Sequence, residues 1–360
     1  MWKDSSVTSS LQRPRGFTHR RTTENDMAKA IHSIVALAFV FAPNLYSQGP
    51  LTPPGAPAPT MKTLDQVEPR TPIDATHTPG DADSLFKITK PGSYYVTANV
   101  TGVAAKYGVE IAASGVTLDL NGFDLVGVPG SLDGVAVTPL NLVNISVRNG
   151  SVRSWGGNGI NLLDAATSAT NVADIVASQN AGGGIKMGFG GTITRCTCYN
   201  NTGFGIAGAS GTVITECASN TNGSHGITTG SGCTISRNTV RSNVGDGINF
   251  FNQCQVLNNT CSLNGNGAGD GAGIHATIGG SDNRIEGNNC TGADRGIDVD
   301  TAGNIIVRNS ASGNTTNYDI VANNVFGAIV DRTAPASAAV TGSAAASSAG
   351  TTDPWANFTY

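Results

Sequence analysis

An all-β solenoid, a single parallel β-helix of about ten coils, is the fold this sequence predicts. Three observations predict it: a glycine-rich and charge-poor composition, a repeat with a period near 21 residues, and the lack of any window with helical periodicity. The 360-residue chain is 39% hydrophobic and 13% charged, with 47 glycines. Coiled coils and charged helical bundles need far more Glu, Lys, Leu and Arg than this. Disorder is excluded because net charge is small and Val, Ile and Leu recur at regular spacing. A collagen-like chain is excluded because glycine has no period of three.

The repeat carries the architecture. Gly-Ile recurs at Gly159-Ile160, Gly184-Ile185, Gly205-Ile206, Gly226-Ile227, Gly247-Ile248, Gly273-Ile274 and Gly296-Ile297. A second apolar column reads Val172, Ile193, Ile214, Ile235, Val256, Ile285 and Ile306. Three residues later come Ile175, Cys196, Cys217, Asn238, Asn259, Asn288 and Asn309, and eight residues later Asn180, Asn201, Asn222, Asn243, Asn264, Ala293 and Asn314. Each unit holds short β-branched pieces separated by Asn, Gly, Ser and Asp, the residues that tolerate or hydrogen-bond turns. Three strands and three turns per unit make one coil of a parallel β-helix. Coils stack at about 4.8 Å, so each side chain lies on its counterpart one repeat earlier. Ile stacks on Ile inside, and Asn amides bond one another at the bends.

The N-terminal part reads as an export signal. Met27-Ala28-Lys29 precedes an apolar run from Ile34 to Ala42, followed by Pro43 and Ser47-Gln48. Such a run is too short to span a bilayer, which takes about 20 residues. The expected organisation is a mis-called extension over 1–26, a signal peptide over 27–47, a proline-rich arm over 48–85, the β-helix over 86–330, and an Ala/Ser/Gly-rich linker with an aromatic tail over 331–360. From Gln48 onward, 15 Lys and Arg face 22 Asp and Glu. An acidic chain with no basic stripe is not built to bind nucleic acid. The reading is of an extracytoplasmic monomer (secreted, periplasmic or at the cell surface) with no membrane span.

Residues 86–330 resemble the right-handed parallel β-helix repeat proteins, the pectate-lyase-like superfamily that includes NosD-type periplasmic proteins. The resemblance rests on units such as Cys233-Thr234-Ile235-Ser236-Arg237-Asn238-Thr239-Val240-Arg241-Ser242-Asn243 followed by Asp246-Gly247-Ile248. It implies a right-handed helix and a secreted protein that binds polysaccharide along a parallel β-sheet face, with lyase or glycoside hydrolase cleavage as the enzymatic option. The paired-Asp, Gly-His-Gly and Arg-Ile-Lys signatures of the polygalacturonase branch are missing. That favours the alternative, a non-catalytic structural or adhesive extracellular solenoid. A metal-delivery role lacks the His/Met/Cys cluster it would need.

Outward positions form columns too. Register places Asp246, Asn249, His275, Arg295, Asp298 and Asp300 in one patch about 15 Å across. Asp246, His275 and Asp298 are the candidate catalytic groups; Asn249, Arg295 and Asp300 are the candidate substrate-binding groups. Asp298 and Asp300 alternate with Val299, so both should face outward about 7 Å apart, a spacing suited to an inverting carboxylate pair. Alternatively, Asp294, Asp298 and Asp300 offer hard oxygens to Ca²⁺, the one cofactor this patch admits. The same groups also suit a plain solvated outer face. The patch lacks obvious sugar-stacking aromatics apart from Phe204 and Phe251. Seven cysteines in an exported chain suggest disulfides, with Cys196–Cys217, Cys233–Cys254 and Cys261–Cys290 on adjacent coils. Stacked side chains point the same way, however, which equally suits buried thiols.

Overall fold

The computed structural model describes residues 68–138, 141–163, 166–265, 271–331 and 351–359. The predicted signal peptide, most of the arm and the linker over 332–350 lie outside the described residues. The rest is strand and turn, with every ladder parallel. Eleven strands, from Ser84–Ile88 to Thr316–Ile320, stack into one sheet, so the solenoid has eleven coils. The two other sides of the coil join into a second sheet of twenty-two strands. Two eleven-residue strands, Val143–Arg153 and Ser168–Ser178, run through the corner between those sides and connect them.

Register follows the repeat. Ile160, Ile185, Ile206, Ile227, Ile248, Ile274 and Ile297 are successive partners and fully buried. Val172, Ile193, Ile214, Ile235, Val256, Ile285 and Ile306 form a second interior row. Ala177, Cys198, Ser219, Val240, Cys261, Cys290 and Ala311 form a third, of smaller residues. The glycine of each Gly-Ile pair answers to this packing: a Cβ on Gly226 would sit 2.3 Å from Val240 Cγ1 and 2.6 Å from Asn243 Nδ2. No side chain fits where the backbone closes over the third row.

Buried asparagines hold the bends. In one ladder Asn180, Asn201, Asn222 and Asn243 each donate an amide N–H to the next Oδ1 at 2.9–3.0 Å, ending at Asn264. A second runs Asn238, Asn259, Asn288, Asn309, Asn357, with bonds of 3.0–3.2 Å. A third, Asn283 to Asn304 to Asn324, turns the remaining corner, with Cys254 and Cys233 on the rungs above. Each Oδ1 also accepts the backbone N–H of the preceding rung. The residues just before ladder positions adopt left-handed backbone without being glycine: Arg195, Glu216 and Arg237 at one corner, Asn200, Thr221 and Ser242 at another.

One expected boundary changes. The first coil begins upstream of Phe86, because Thr71–Ile73 pairs with Gly92–Val96 and buries Ile73. Pro72 is tolerated there because this is an edge strand. At the other end, the aromatic tail is part of the solenoid: Asn357–Thr359 pairs with Ser310–Ser312 and Ile329–Asp331. All seven cysteines are free and buried. Four of the thiols reach nearby carbonyls, as Cys196 Sγ does to Thr194 O and Cys217 Sγ to Thr215 O, both at 3.3 Å.

Removing one rung should be costly. Asn259→Ala strands the Asn238 amide and the Ile235 carbonyl, and each orphaned buried group costs about 1–3 kcal/mol. Denaturation midpoints should therefore fall clearly for Asn259→Ala, whereas Thr260→Ala, exposed at the same corner, should stay within about 0.5 kcal/mol of the parent.

Candidate functional site

Strand alternation turns one column of the eleven-stranded sheet outward. From Lys186 it continues through Ala207, Thr228, Asn249, His275 and Asp298 to Asp319. At its C-terminal end lies the cluster. His275, on strand Ala272–Ala276, is its centre. Its Nδ1 is 3.0 Å from Asp246 Oδ2, while its Nε2 is 3.1 Å from Asp300 Oδ2 and 3.7 Å from Asp298 Oδ2. Asn249 Nδ2 donates to Asp246 Oδ2 at 2.8 Å, and the Ala272 N–H donates to Oδ1 at 2.8 Å. Arg295 Nη1 donates to Asp298 Oδ2 at 3.0 Å and Nε to Asp319 Oδ2 at 2.8 Å. The six residues singled out from the sequence thus form one connected network.

Burial is uneven, and that sets the electrostatics. Asp246 and Asp298 are 4% and 3% exposed, His275 and Arg295 are half-buried, and Asp300 is open to solvent. Burial alone would raise the Asp246 carboxyl, but the His275 bond, the Ala272 N–H and the Asn249 amide outweigh it and hold Asp246 below the ordinary value. Burial likewise opposes the charged form of His275, yet Asp246 first, then Asp300 and Asp298, lift it to about 9. Asp298 is pushed up, chiefly by burial and against the pull of His275 and Arg295.

Two details differ from the expected geometry. Asp298 and Asp300 do not stand about 7 Å apart: with His275 they offer donor atoms all within 4.8 Å of one another. His275 draws Asp300 in, leaving no room for the water an inverting pair needs. Asp294 is not among the converging donors, and an imidazole nitrogen takes that corner instead. Ca²⁺ takes six to eight oxygens, so this donor set does not fit it.

Two neighbours were not foreseen as members. Asp319 shares the column of Asp298, but its coil reads Thr316-Asn317-Tyr318-Asp319, with Tyr318 in place of the marker isoleucine, so a search for Gly-Ile stops one coil short. His225 lies one coil above Asp246, and its Nδ1 accepts the Asp246 backbone N–H at 3.1 Å. That lone pair is thereby used, so the 3.4 Å approach of the same nitrogen to Asp246 Oδ2 is proximity alone.

A family model described as a right-handed β-helix region matches residues 133–289. The chain is a right-handed parallel β-helix. Among solved structures it is similar to the A-module of a mannuronan C-5 epimerase of Azotobacter vinelandii: 16% identity, TM-score 0.45, over 65% of this chain and 78% of that one. The Dettilon tailspike protein gives 18% identity and TM-score 0.51, over 70% of this chain and 56% of that one. A pectate lyase gives 16% identity and TM-score 0.44, over 63% and 64%. At these identities the likeness is one of fold, and the chain spans just over half of the tailspike's length. No curated protein matches it in sequence. No helix among the described residues is long and apolar enough to cross a membrane.

Protonated His275 gains stability from its three carboxylate neighbours, and its folded pKa of about 9 lies above its ordinary 6.5. That contribution is complete below pH 6.5 and is lost as pH rises through about 9. Melting temperature should therefore decline between pH 7 and pH 10, and His275→Gln should flatten the decline. Parallel slopes for the two proteins would show that His275 is not held as the imidazolium.

Proposed function

We propose that this is an extracytoplasmic protein that binds an acidic polysaccharide lengthwise along the eleven-stranded face and cleaves it at His275. The observation that carries the reading is the placement of a histidine, flanked by buried Asp246 and Asp298 and open Asp300, at one end of a long outward column whose middle, Ala207 to Asn249, is uncharged. Coils repeat at about 4.8 Å, close to the length of one sugar residue in an extended glycan, so a chain lying along the axis meets each coil in an equivalent way. Phe204 lies over Gly183, where an added Cβ would sit 2.1 Å from the ring, and forms a flat platform two coils before Asp246. Partly exposed Phe251 adds a second.

The chemistry follows from closeness. A general acid must reach the leaving oxygen, and His275 is protonated at neutral pH. The Asp300 carboxylate, 3.1 Å away, is the exposed acceptor. Groups this near each other suit proton removal and delivery on one side of a sugar ring, as in eliminating a glycosidic oxygen β to a uronate carboxylate. Arg295, fixed at the rim by Asp298 and Asp319, offsets the repulsion between those aspartates and that carboxylate.

Purified protein incubated with polygalacturonate, alginate and a neutral glucan should release unsaturated oligosaccharides from an acidic polymer only. His275→Gln should lower the rate by about 10²–10⁴-fold, and Phe204→Ala should weaken retention on the polymer with the rate at saturation preserved. Retention without product would favour an adhesive solenoid; neither retention nor product ends the proposal.

A further inference from the structure

We infer that His275, Asp298 and Asp300 form a binding site for a divalent first-row transition ion such as Zn²⁺ or Mn²⁺. The inference is independent of polysaccharide binding. Residues of two adjacent coils converge on it, His275 from one and Asp298 and Asp300 from the next. Nε2 of His275 and the two carboxylate oxygens lie 3.1 and 3.7 Å apart, and all donor atoms fall within 4.8 Å. Ligands at about 2.0–2.2 Å from one ion, spread at tetrahedral or octahedral angles, stand about 3.0–3.5 Å from each other. The cluster is already near that size.

The imidazole is also aimed. Asp246 Oδ2 holds Nδ1 at 3.0 Å and is itself fixed by Asn249 Nδ2 and the Ala272 N–H. A histidine that donates Nδ1–H to a buried carboxylate presents the bare Nε2 lone pair, which is how metal-bound histidines are oriented. Charge agrees: with His275 neutral, the four carboxylates of Asp246, Asp298, Asp300 and Asp319 outnumber the Arg295 guanidinium beside them, and a divalent cation removes most of the excess. One nitrogen with two carboxylates selects a borderline ion over Ca²⁺. The ion and the Nε2 proton exclude each other, so the metal-free form is the one capable of the acid–base chemistry above.

The full chain titrated with Co²⁺ should bind one ion with an absorption spectrum of nitrogen–oxygen ligation. Zn²⁺ should displace it, and excess Ca²⁺ should not. His275→Gln and Asp300→Asn should each weaken binding at least about 100-fold, and Asp246→Asn, which keeps all three ligands, by about 10–100-fold. Asp300 is exposed, so Asp300→Asn carries the test even if His275→Gln fails to fold. Binding that survives Asp300→Asn unchanged, ready displacement by Ca²⁺, or no stoichiometric ion at all would overturn the inference. An ion bound by a protein that retains no polysaccharide leaves it standing and removes only the preceding proposal.

Discussion

Everything in this molecule depends on asparagine side chains that bond to their own copies one coil away. A coil must turn three times in about 21 residues, and at all three bends non-glycine residues such as Arg237, Thr221 and Gln253 sit in left-handed backbone. Each such residue costs on the order of 1 kcal/mol or more, and β-branched Thr221 is least suited to it. The ladders offset this. Asn259 alone accepts the backbone and amide N–H groups of Asn238 and donates to the Ile235 carbonyl and to Asn288. Turn groups that would be buried without partners are therefore satisfied, and the amide geometry leaves no freedom to slip register. Because a one-residue slip would send every interior isoleucine outside, the polar ladder and the apolar rows enforce the same answer.

The site inherits that order. His275, Asp298 and Asp319 are far apart in sequence yet become neighbours because three consecutive coils stack in register. Nothing local orients them: no helix, no tight loop, only alternation along a strand and the fixed rise between strands. The sole variable is insertion length at the turns. The coil between Ile248 and Ile274 is five residues longer than the 21-residue norm, yet its strands still pair. The column through Asn249 and His275 is undisturbed.

This explains which features were legible in the sequence. The interior rows, two of the three asparagine ladders, and the coincidence of Asp246, His275 and Asp298 all follow from counting, since stacking converts sequence spacing into position. The first coil was hidden because Thr71–Ile73 carries no Gly-Ile marker and sits in a Pro/Thr/Asp-rich stretch. Asp319 was hidden by Tyr318, and the third ladder by cysteines at its upper rungs, Cys233 and Cys254, where asparagine would have shown the pattern. The contraction of Asp300 toward His275 was not countable at all. It depends on side-chain electrostatics across a corner, which spacing does not encode.

The outward column itself argues that its C-terminal end is more than a wetted surface. Toward its start the column places Glu110 beside Lys87 and isolates Lys186 between Asn161 and Ala207, so its charges are paired or single. Near its end it stacks Asp298 directly on Asp319, with Asp300 and Asp246 close by. Like charges on adjacent strands destabilise a sheet, and two carboxylates about 5 Å apart repel by about 3 kcal/mol at an effective dielectric of 20. Arg295 bridging both aspartates and His275 held as a cation reduce that cost without removing it. A solenoid needing only solubility could scatter these charges over exposed corners, where Arg195–Asp174 and Arg237–Glu216 already sit. Burying Asp298 beside Asp319 works against stability, and such local violations concentrate where a protein binds or transforms something.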